Sequence, residues 1–576
     1  MTNINPVRRA SGLFGLWAFA LLFVALPASA AGPTPFSDDE LIRQQQRERA
    51  LHEQQGKAPD VRLQAGEVAA ALELLPATEA PCFIIGRITL AGSDAATFDW
   101  ALSAAWANGD TPIGRCLGTT GVNLVMKRIQ NAIVQRGYVT TRVLAGPQDL
   151  KSGQLQLNIV AGRIRAIRFA PGTSKRASQW NAFPMAAGDL LNLRDIEQAL
   201  ENLKRVPTAE ADIQIVPSEG ADAEPGDSDL AVTWKQSFPW RLSLAADDSG
   251  AKATGKYQGN LTVSADHLLT LQDIFYLTLS HDLTGQSGAQ GTRARTAQYS
   301  LPFGYWQLGL TTSDYNYHQS VAGISQNYIY SGKSQNTDIR LTRVVWRDAV
   351  SKTTLGVRLW ERDSQNYIDD TEVQVQRRRM AGWEINASEK FFLNDATLDL
   401  NLAYRWGTGA LRSLPAPEEA FGEGTSRPRL ITADLQFNQA LALGPQRLRY
   451  NLVWRAQWNE TPLVPQDRFA IGGRFTVRGF DGESILSAER GWLIRYDLGI
   501  NLGGAGAEAY LGVDVGRVGG KSAEKLVGKE LSGAALGVRG SALGVAYDLF
   551  VARPLSKPAA FRTAAATAGF SLNWSF

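Results

Sequence analysis

At 576 residues the chain is too long for one ordinary core, and several domains are expected. Its formal net charge of +3 falls to +1 once Arg8 and Arg9 near the start are subtracted, so no strong field calls for nucleic acid. Although 44% of the residues are hydrophobic, no apolar run after Ala31 is long enough to span as a helix, which argues against the inner membrane.

Arg8 and Arg9 precede the apolar run LFGLWAFALLFVALP and then Ala28-Ser29-Ala30, a small-x-small pattern ahead of Ala31. The run is about 15 residues where a spanning helix needs roughly 20. Residues 1–30 therefore read as an export signal rather than an anchor. From Ser37 to Gln55, SDDELIRQQQRERALHEQQ has helix formers throughout, Ser37 and Glu40 at capping-box spacing, and Gly56 placed to stop it. It lacks an apolar stripe, so such a helix is either solvated or enclosed by a wet cavity. Residues 57–80 read as a linker, with Pro59 and Pro76 toward its ends and room for a short helix between.

Between Pro81 and Trp234 two similar units follow, at 81–161 and 162–235. The first opens with FIIGRITLAG, continues through a short helix near Phe98 to Asn108, and reaches an amphipathic helix carrying Val125, Ile129, Ala132 and Ile133 on one face. The strands YVTTRVLA and QLQLNIVAG close it. The second repeats the order with IRAIRFA, a weak middle, a helix aligning Leu193, Ile196, Leu200 and Leu203 behind an Asn192 cap, and then ADIQIVPS and DLAVTWK. Two β-α-α-β-β units make two small α+β domains, whose open sheet edges can pair with an extended segment of another protein. Both cysteines, Cys82 and Cys116, fall in the first unit with no C-x-x-C spacing, and in an oxidising periplasm they read as a disulfide.

After Phe238 the helical period disappears, and residues 236–576 are alternating segments broken by Gly, Asn, Asp and Ser turns. In the final strand Phe570, Leu572, Trp574 and Phe576 point one way while Ser571, Asn573 and Ser575 point the other. LSLAADDSG, RLRYNLVWRAQW, WLIRYDLGINL and AYLGVDVGRV behave alike. Alternation with a terminal aromatic suits a transmembrane β-barrel, and at roughly 20 residues per strand and connection the even count is about 16. A soluble sandwich would explain neither the outward Trp and Tyr nor the terminal Phe576.

The pattern offers no constellation for catalysis. The four histidines, His52, His267, His281 and His318, are scattered without ligand spacing, and there is no G-x-S-x-G. Gly520-Lys521-Ser522 imitates the end of a phosphate loop, but Val515 stands where the first glycine belongs, so it reads as a hairpin turn. No enzyme activity, metal or cofactor is expected.

RQQQRERAL, PCFIIGRITLAG, CLGTTGVNLV, QRGYVTTRVLAGPQDLKSGQL, LNLRDIEQALENLKRVPTAEADIQIVPS, TGKYQGNLTVSADHLLTLQD and FTVRGFDGE together resemble the TpsB transporters of two-partner secretion. These are the haemolysin-activator and filamentous-haemagglutinin-transporter type within the Omp85 superfamily, and the resemblance covers essentially the whole chain. It implies a plug helix at 31–56, two periplasmic POTRA domains and a sixteen-stranded outer-membrane barrel. The implied function is recognition of one large β-helical exoprotein by the POTRA domains and its export through the barrel without ATP. The partner would be an adhesin, a haemolysin or a contact-dependent toxin, and the barrel would contact outer-membrane lipids.

The resemblance places Val477, Arg478, Gly479 and Phe480 at the tip of an extracellular loop folded into the barrel, with the arginine held by a lumenal aspartate. By alternation both Asp514 in LGVDVG and Asp497 in WLIRYDLGINL face the lumen, and the family match favours Asp514. A barrel-assembly factor of the wider superfamily is the alternative reading. It shares the VRGF loop, but the polar helix at 37–55 speaks against it.

Overall fold

The computed structural model describes residues 37–55, 59–64, 73–219, 221–284, 288–503 and 506–576. The export signal at 1–30, and any helix at 65–72, lie outside them.

Sixteen long antiparallel strands, from Trp240–Asp247 to Thr567–Ser575, form a closed barrel among the described residues. Closure pairs the last strand with the first, from Ser571 opposite Asp247 to Ser575 opposite Ser243. Phe576 and Leu242 continue the seam by exchanging main-chain hydrogen bonds at 2.8 and 2.9 Å. A closed sheet leaves no main-chain donor or acceptor facing hydrocarbon, which is why alternating sequence can cross a bilayer only in this form. In the strand Glu508–Gly519 the period-two pattern is explicit: Leu511 and Val513 are exposed on the outer face, while Gly512, Asp514 and Gly516 are buried inside.

The chain rises into the barrel at Trp240, so the turns at 267–273, 304–305 and 348–350 share the end from which it enters. The segment at 460–489, between strands Gln446–Asn459 and Arg490–Asn501, belongs to the opposite end.

Ahead of the barrel, the first unit has a sheet with Gln154–Val160 at its centre, parallel to Arg87–Ala91 and antiparallel to Arg142–Leu144. Helix α2 (Thr119–Gln135) covers it with Val125, Ile129 and Ile133 fully buried and Ala132 partly so. The expected short helix is a 3₁₀ helix over Ala95–Gly109, whose three-residue turn sets Phe98 and Ala101 together in the core. The N-terminus of α2 takes its cap from outside the unit as read: the Glu79 carboxylate accepts from the backbone of Gly118, Thr120 and Gly121 at 2.7, 2.9 and 3.0 Å. Desolvation raises this carboxyl, but the backbone donors outweigh it and hold it below the ordinary range.

The second unit centres Asp227–Gln236 between Arg163–Phe169 and Ala209–Pro217. Its helix α3 (Leu193–Lys204) buries Leu193, Ile196, Leu200 and Leu203, and the Asn192 side chain accepts from Arg194 N at 2.8 Å. The repeat of two helices is incomplete here. Residues 170–192 contain turns and no helix: Pro171, Gly172, Pro184 and Gly188 break up the two ends of this stretch, and Thr173, Ser174, Ser178 and Asn181 weaken the helical signal between them.

The segment read as a linker is tied down where it is described. Val61 N and Leu63 N donate to Glu201 and Glu197 of α3 at 3.0 and 2.7 Å, and Asp60 meets Lys352 of the barrel at 3.1 Å. Arg347, at the foot of the barrel, reaches Glu197 at 3.0 Å and Glu201 at 2.9 Å, with all three side chains nearly sealed from solvent. Strap, second unit and barrel therefore meet in one ion cluster.

Cys82 and Cys116 are bonded, with Cα atoms 5.2 Å apart and a sequence separation of 34. A non-reducing digest is expected to yield one peptide pair joining them. Cys116→Ser should lower the unfolding free energy of the first unit by about 3 to 4 kcal/mol, from the loop entropy released. Free thiols in the exported protein, or unchanged denaturant midpoints, would contradict this.

Candidate functional site

Inside the barrel two elements occupy the lumen, the loop tip around Arg478 and helix α1 (Ser37–Gln55). Arg478 is 4% exposed and Asp514 is 1% exposed, so the pair is withdrawn from water. Arg478 Nε donates to Asp514 Oδ2 at 2.7 Å and Nη2 to Oδ1 at 2.6 Å, the two parallel bonds of a fork. The backbone N–H of Arg478 adds a third bond to Asp514 at 2.8 Å. Asp497, the rival partner, is brought to the same guanidinium: Nη2 also donates to its Oδ1 at 2.6 Å. The two aspartates, adjacent on paired strands, share the arginine rather than compete for it. Asp514 fixes its direction, and Asp497 is shared again with Arg539 at 3.4 Å.

The wall opposite the tip is lined by small residues. Gly479 has φ +100, and a β-carbon there would stand 2.4 Å from the carbonyl oxygen of Arg553. A β-carbon on Gly533 would be only 1.9 Å from the Arg478 carbonyl oxygen, so backbone lies against backbone. Val477 and Phe480 are buried in a cluster with Ile471, Leu493, Leu531 and Phe561, and Phe480 meets the Phe561 ring edge-on at 5.7 Å. The loop is thus held by a charged fork at its centre and apolar packing around it.

Two supporting arginines are invisible in the loop motif itself. Arg474 bonds Asp248 at 2.5 Å and the carbonyl of Phe570 at 3.0 Å, joining the loop to the seam between first and last strands. Arg539 lies over the Tyr510 ring at 4.6 Å and bonds Glu508 at 2.6 Å, backing the aspartate side of the fork. Strand parity gives the lumenal phase of Tyr510, but nothing in sequence pairs Arg474 with Asp248, 226 residues upstream.

Helix α1 lies in the lumen among polar wall side chains. Glu40 is buried and accepts from Arg43 at 2.8 Å, Arg47 at 3.0 Å and Thr254 at 3.1 Å, and the Tyr315 hydroxyl also donates to it. Farther along, Arg49 meets Asp434 at 2.6 Å, Glu53 meets Arg455 at 2.9 Å, and His52 contacts Gln298 at 3.2 Å. Leu41 and Ile42 are buried apolar exceptions, Leu41 packed against Ala294, Tyr315 and Tyr317. Beside the helix remains a cavity of about 890 Å³, lined by charged groups that include Arg340, Arg358, Glu384 and Arg405. The helix with no apolar stripe has found the wet enclosure such a composition requires.

Gly520-Lys521-Ser522 lies in the connection between two wall strands, where the Glu489 carboxylate accepts from Ser522 N and Oγ. A carboxylate in that position repels phosphate. Among the described residues no three His, Cys, Asp or Glu side chains converge as a metal site.

Residues 226–540 match the family described as haemolysin secretion/activation protein ShlB/FhaC/HecB, while residues 83–162 and 163–217 match POTRA domains, the former of the ShlB type. The chain is 35% identical to outer membrane transporter CdiB-2 of Burkholderia pseudomallei, over 97% of this chain and 98% of that one. It is 25% identical to the hemolysin transporter protein ShlB of Serratia marcescens, over 70% and 71% of the two chains. The solved structure of CdiB from Acinetobacter baumannii superposes with a TM-score of 0.82 at 31% identity, covering 94% of this chain and all of the other. These matches and the closed barrel place the protein in the bacterial outer membrane with its POTRA domains in the periplasm. The family is one of transporters rather than enzymes. The chain belongs to the haemolysin secretion/activation family, the TpsB transporters of two-partner secretion within the Omp85 superfamily.

Proposed function

We propose that this transporter recognises one large, mostly β-helical secreted partner through its two POTRA domains, at 81–161 and 162–235, and passes it unfolded through the barrel without ATP. The observation that carries this reading is the filling of the lumen. Helix α1 is held there chiefly by hydrogen bonds and ion pairs to a wet wall, contacts that water or a passing polypeptide can replace at small net cost. A plug meant to stay would present an apolar face. The sheet edge Ala209–Pro217 offers backbone to an extended segment before it enters, whereas on Arg142–Leu144 the Val143 N–H is already bonded to the Gln130 side chain at 2.8 Å. Val477, Arg478, Gly479, Phe480 and Asp514 act as the latch that holds the extracellular loop inside the lumen during this cycle.

Proteoliposomes holding the full chain and no nucleotide are expected to take up its unfolded secreted partner, leaving it protected from added protease. Uptake that needs ATP would overturn the export reading. So would a cell in which loss of the protein depletes unrelated outer-membrane barrels while the partner is still secreted, since that is the behaviour of an assembly factor.

A further inference from the structure

The periplasmic rim of the barrel carries an apolar collar that transport through the lumen leaves unused. Trp180, in the turn region of the second POTRA domain, is 68% exposed. Its ring stands edge-on to Phe303 with centroids 5.2 Å apart. Phe303 ends a wall strand and lies directly opposite Trp306 of the next, and Trp306 shares the outward phase of Leu308 and Leu310. Trp180 is therefore on the lipid side of the wall, not the lumen side.

Its position is fixed by the barrel. Asn181 Nδ2 donates to the carbonyl of Pro302 at 3.0 Å and to that of Leu271, and Asn181 O accepts from Gly304 N at 2.9 Å. His267 Nε2 meets the carbonyl of Arg176 at 2.8 Å, and the turn that His267 opens exposes Leu268 and Leu269. Basic groups accompany the collar: Lys175 is exposed next to Arg176, whose carbonyl meets His267, and the Arg343 guanidinium lies over the Trp306 ring at 5.0 Å. Trp beside Lys and Arg is the composition of a membrane–water interface, where the ring is half in hydrocarbon and the cation reaches phosphate.

We propose that Trp180, with Leu268, Leu269 and Phe303, seats the second POTRA domain in the periplasmic leaflet of the outer membrane, and that phospholipid is its partner. The collar continues the lipid-facing wall without a break, so the bilayer that covers Phe303 and Trp306 also reaches Trp180. An exported polypeptide heading for the lumen would approach from the other side of that wall. Such a seat sets the tilt of the domain from the outside, while the ion cluster of Arg347, Glu197 and Glu201 holds it to the foot of the barrel.

The test uses the full chain in vesicles of phosphatidylethanolamine and phosphatidylglycerol, with the heat-modifiable gel shift confirming a folded barrel. Both native cysteines are in the disulfide, so a nitroxide on Trp180→Cys labels alone. It is expected to relax more with oxygen than with a water-soluble nickel chelate, whereas Gln214→Cys, on an exposed position of the same domain's sheet, should show the reverse. Native Trp180 is read separately, as the emission lost in Trp180→Phe, and should lose most of its intensity when the acyl chains are brominated. Nickel preference at both labelled sites would overturn the proposal. An emission component indifferent to brominated lipid and altered only by the secreted partner would also overturn it, making the collar a polypeptide surface instead.

Discussion

Arg478→Ala and Asp514→Ala are each expected to abolish or strongly reduce secretion of the partner while the barrel still inserts and shows its heat-modifiable shift. With one partner removed, the other charge is left buried, which costs about 3 to 5 kcal/mol for a fully enclosed pair and less beside a wet cavity. The geometry ranks the aspartates. Asp514 supplies both arms of the fork and the bond to the Arg478 backbone, whereas Asp497 accepts one bond and keeps Arg539 when that is lost. Asp497→Ala leaves the fork intact but removes the short bond to Arg478, worth about 1.5 to 3 kcal/mol, and the longer contact to Arg539, worth less, and should reduce secretion partially. Arg478→Lys should rescue poorly, because an ammonium cannot occupy two oxygens of one aspartate and one of another in a plane. The Arg478→Ala, Asp514→Ala double variant should secrete no less than Arg478→Ala alone, since that single already removes the contact with Asp514. Multiplying losses, or an Asp497→Ala defect equal to that of Arg478→Ala with none from Asp514→Ala, would remove Asp514 from the latch.

Period-two alternation made much of this site legible. It put Asp514 and Asp497 on the inner face, and the structure has both on Arg478, because adjacent strands set inward residues of like phase side by side. What alternation cannot express is distance across the lumen, so the choice of one aspartate over the other was never forced by the residues. The bond from Arg474 to Asp248 was hidden for the same reason: it depends on closure bringing the first and last strands together. The strap at 59–64 was illegible for another reason. It falls within 57–80, which reads as a linker between Pro59 and Pro76, and only the approach of Glu197, Glu201 and Lys352 in three dimensions gives its backbone and acidic groups partners. The second POTRA domain departs from its expected pattern where a weak helical signal met Pro and Gly, and there local stereochemistry prevailed over the repeat.

Deleting Asp38 to Gln55 should raise single-channel conductance in planar bilayers several-fold, with the barrel still folded, since α1 fills the lumen beside the cavity that remains. A finer expectation concerns Glu40, the buried carboxylate where Arg43, Arg47, Thr254 and Tyr315 converge. Glu40→Ala strips four partners at once and leaves two guanidiniums facing a lumen already rich in arginine. Water can reach those groups, so the net loss is about 1.5 to 3 kcal/mol rather than the full burial penalty. At about 1.4 kcal/mol per factor of ten, the unplugged state should become roughly 10- to 100-fold more populated, and brief openings to the conductance of the deletion variant should appear. Leu41→Ala, which trims the apolar contact with Ala294, Tyr315 and Tyr317, should act in the same direction but leave the charges matched, so its openings should be insensitive to salt while those of Glu40→Ala change with it. Conductance unchanged by the deletion would show that the helix leaves the lumen in a bilayer. Openings in Glu40→Ala no more frequent than in the unaltered protein would mean that other contacts, such as Arg49 with Asp434, hold the plug.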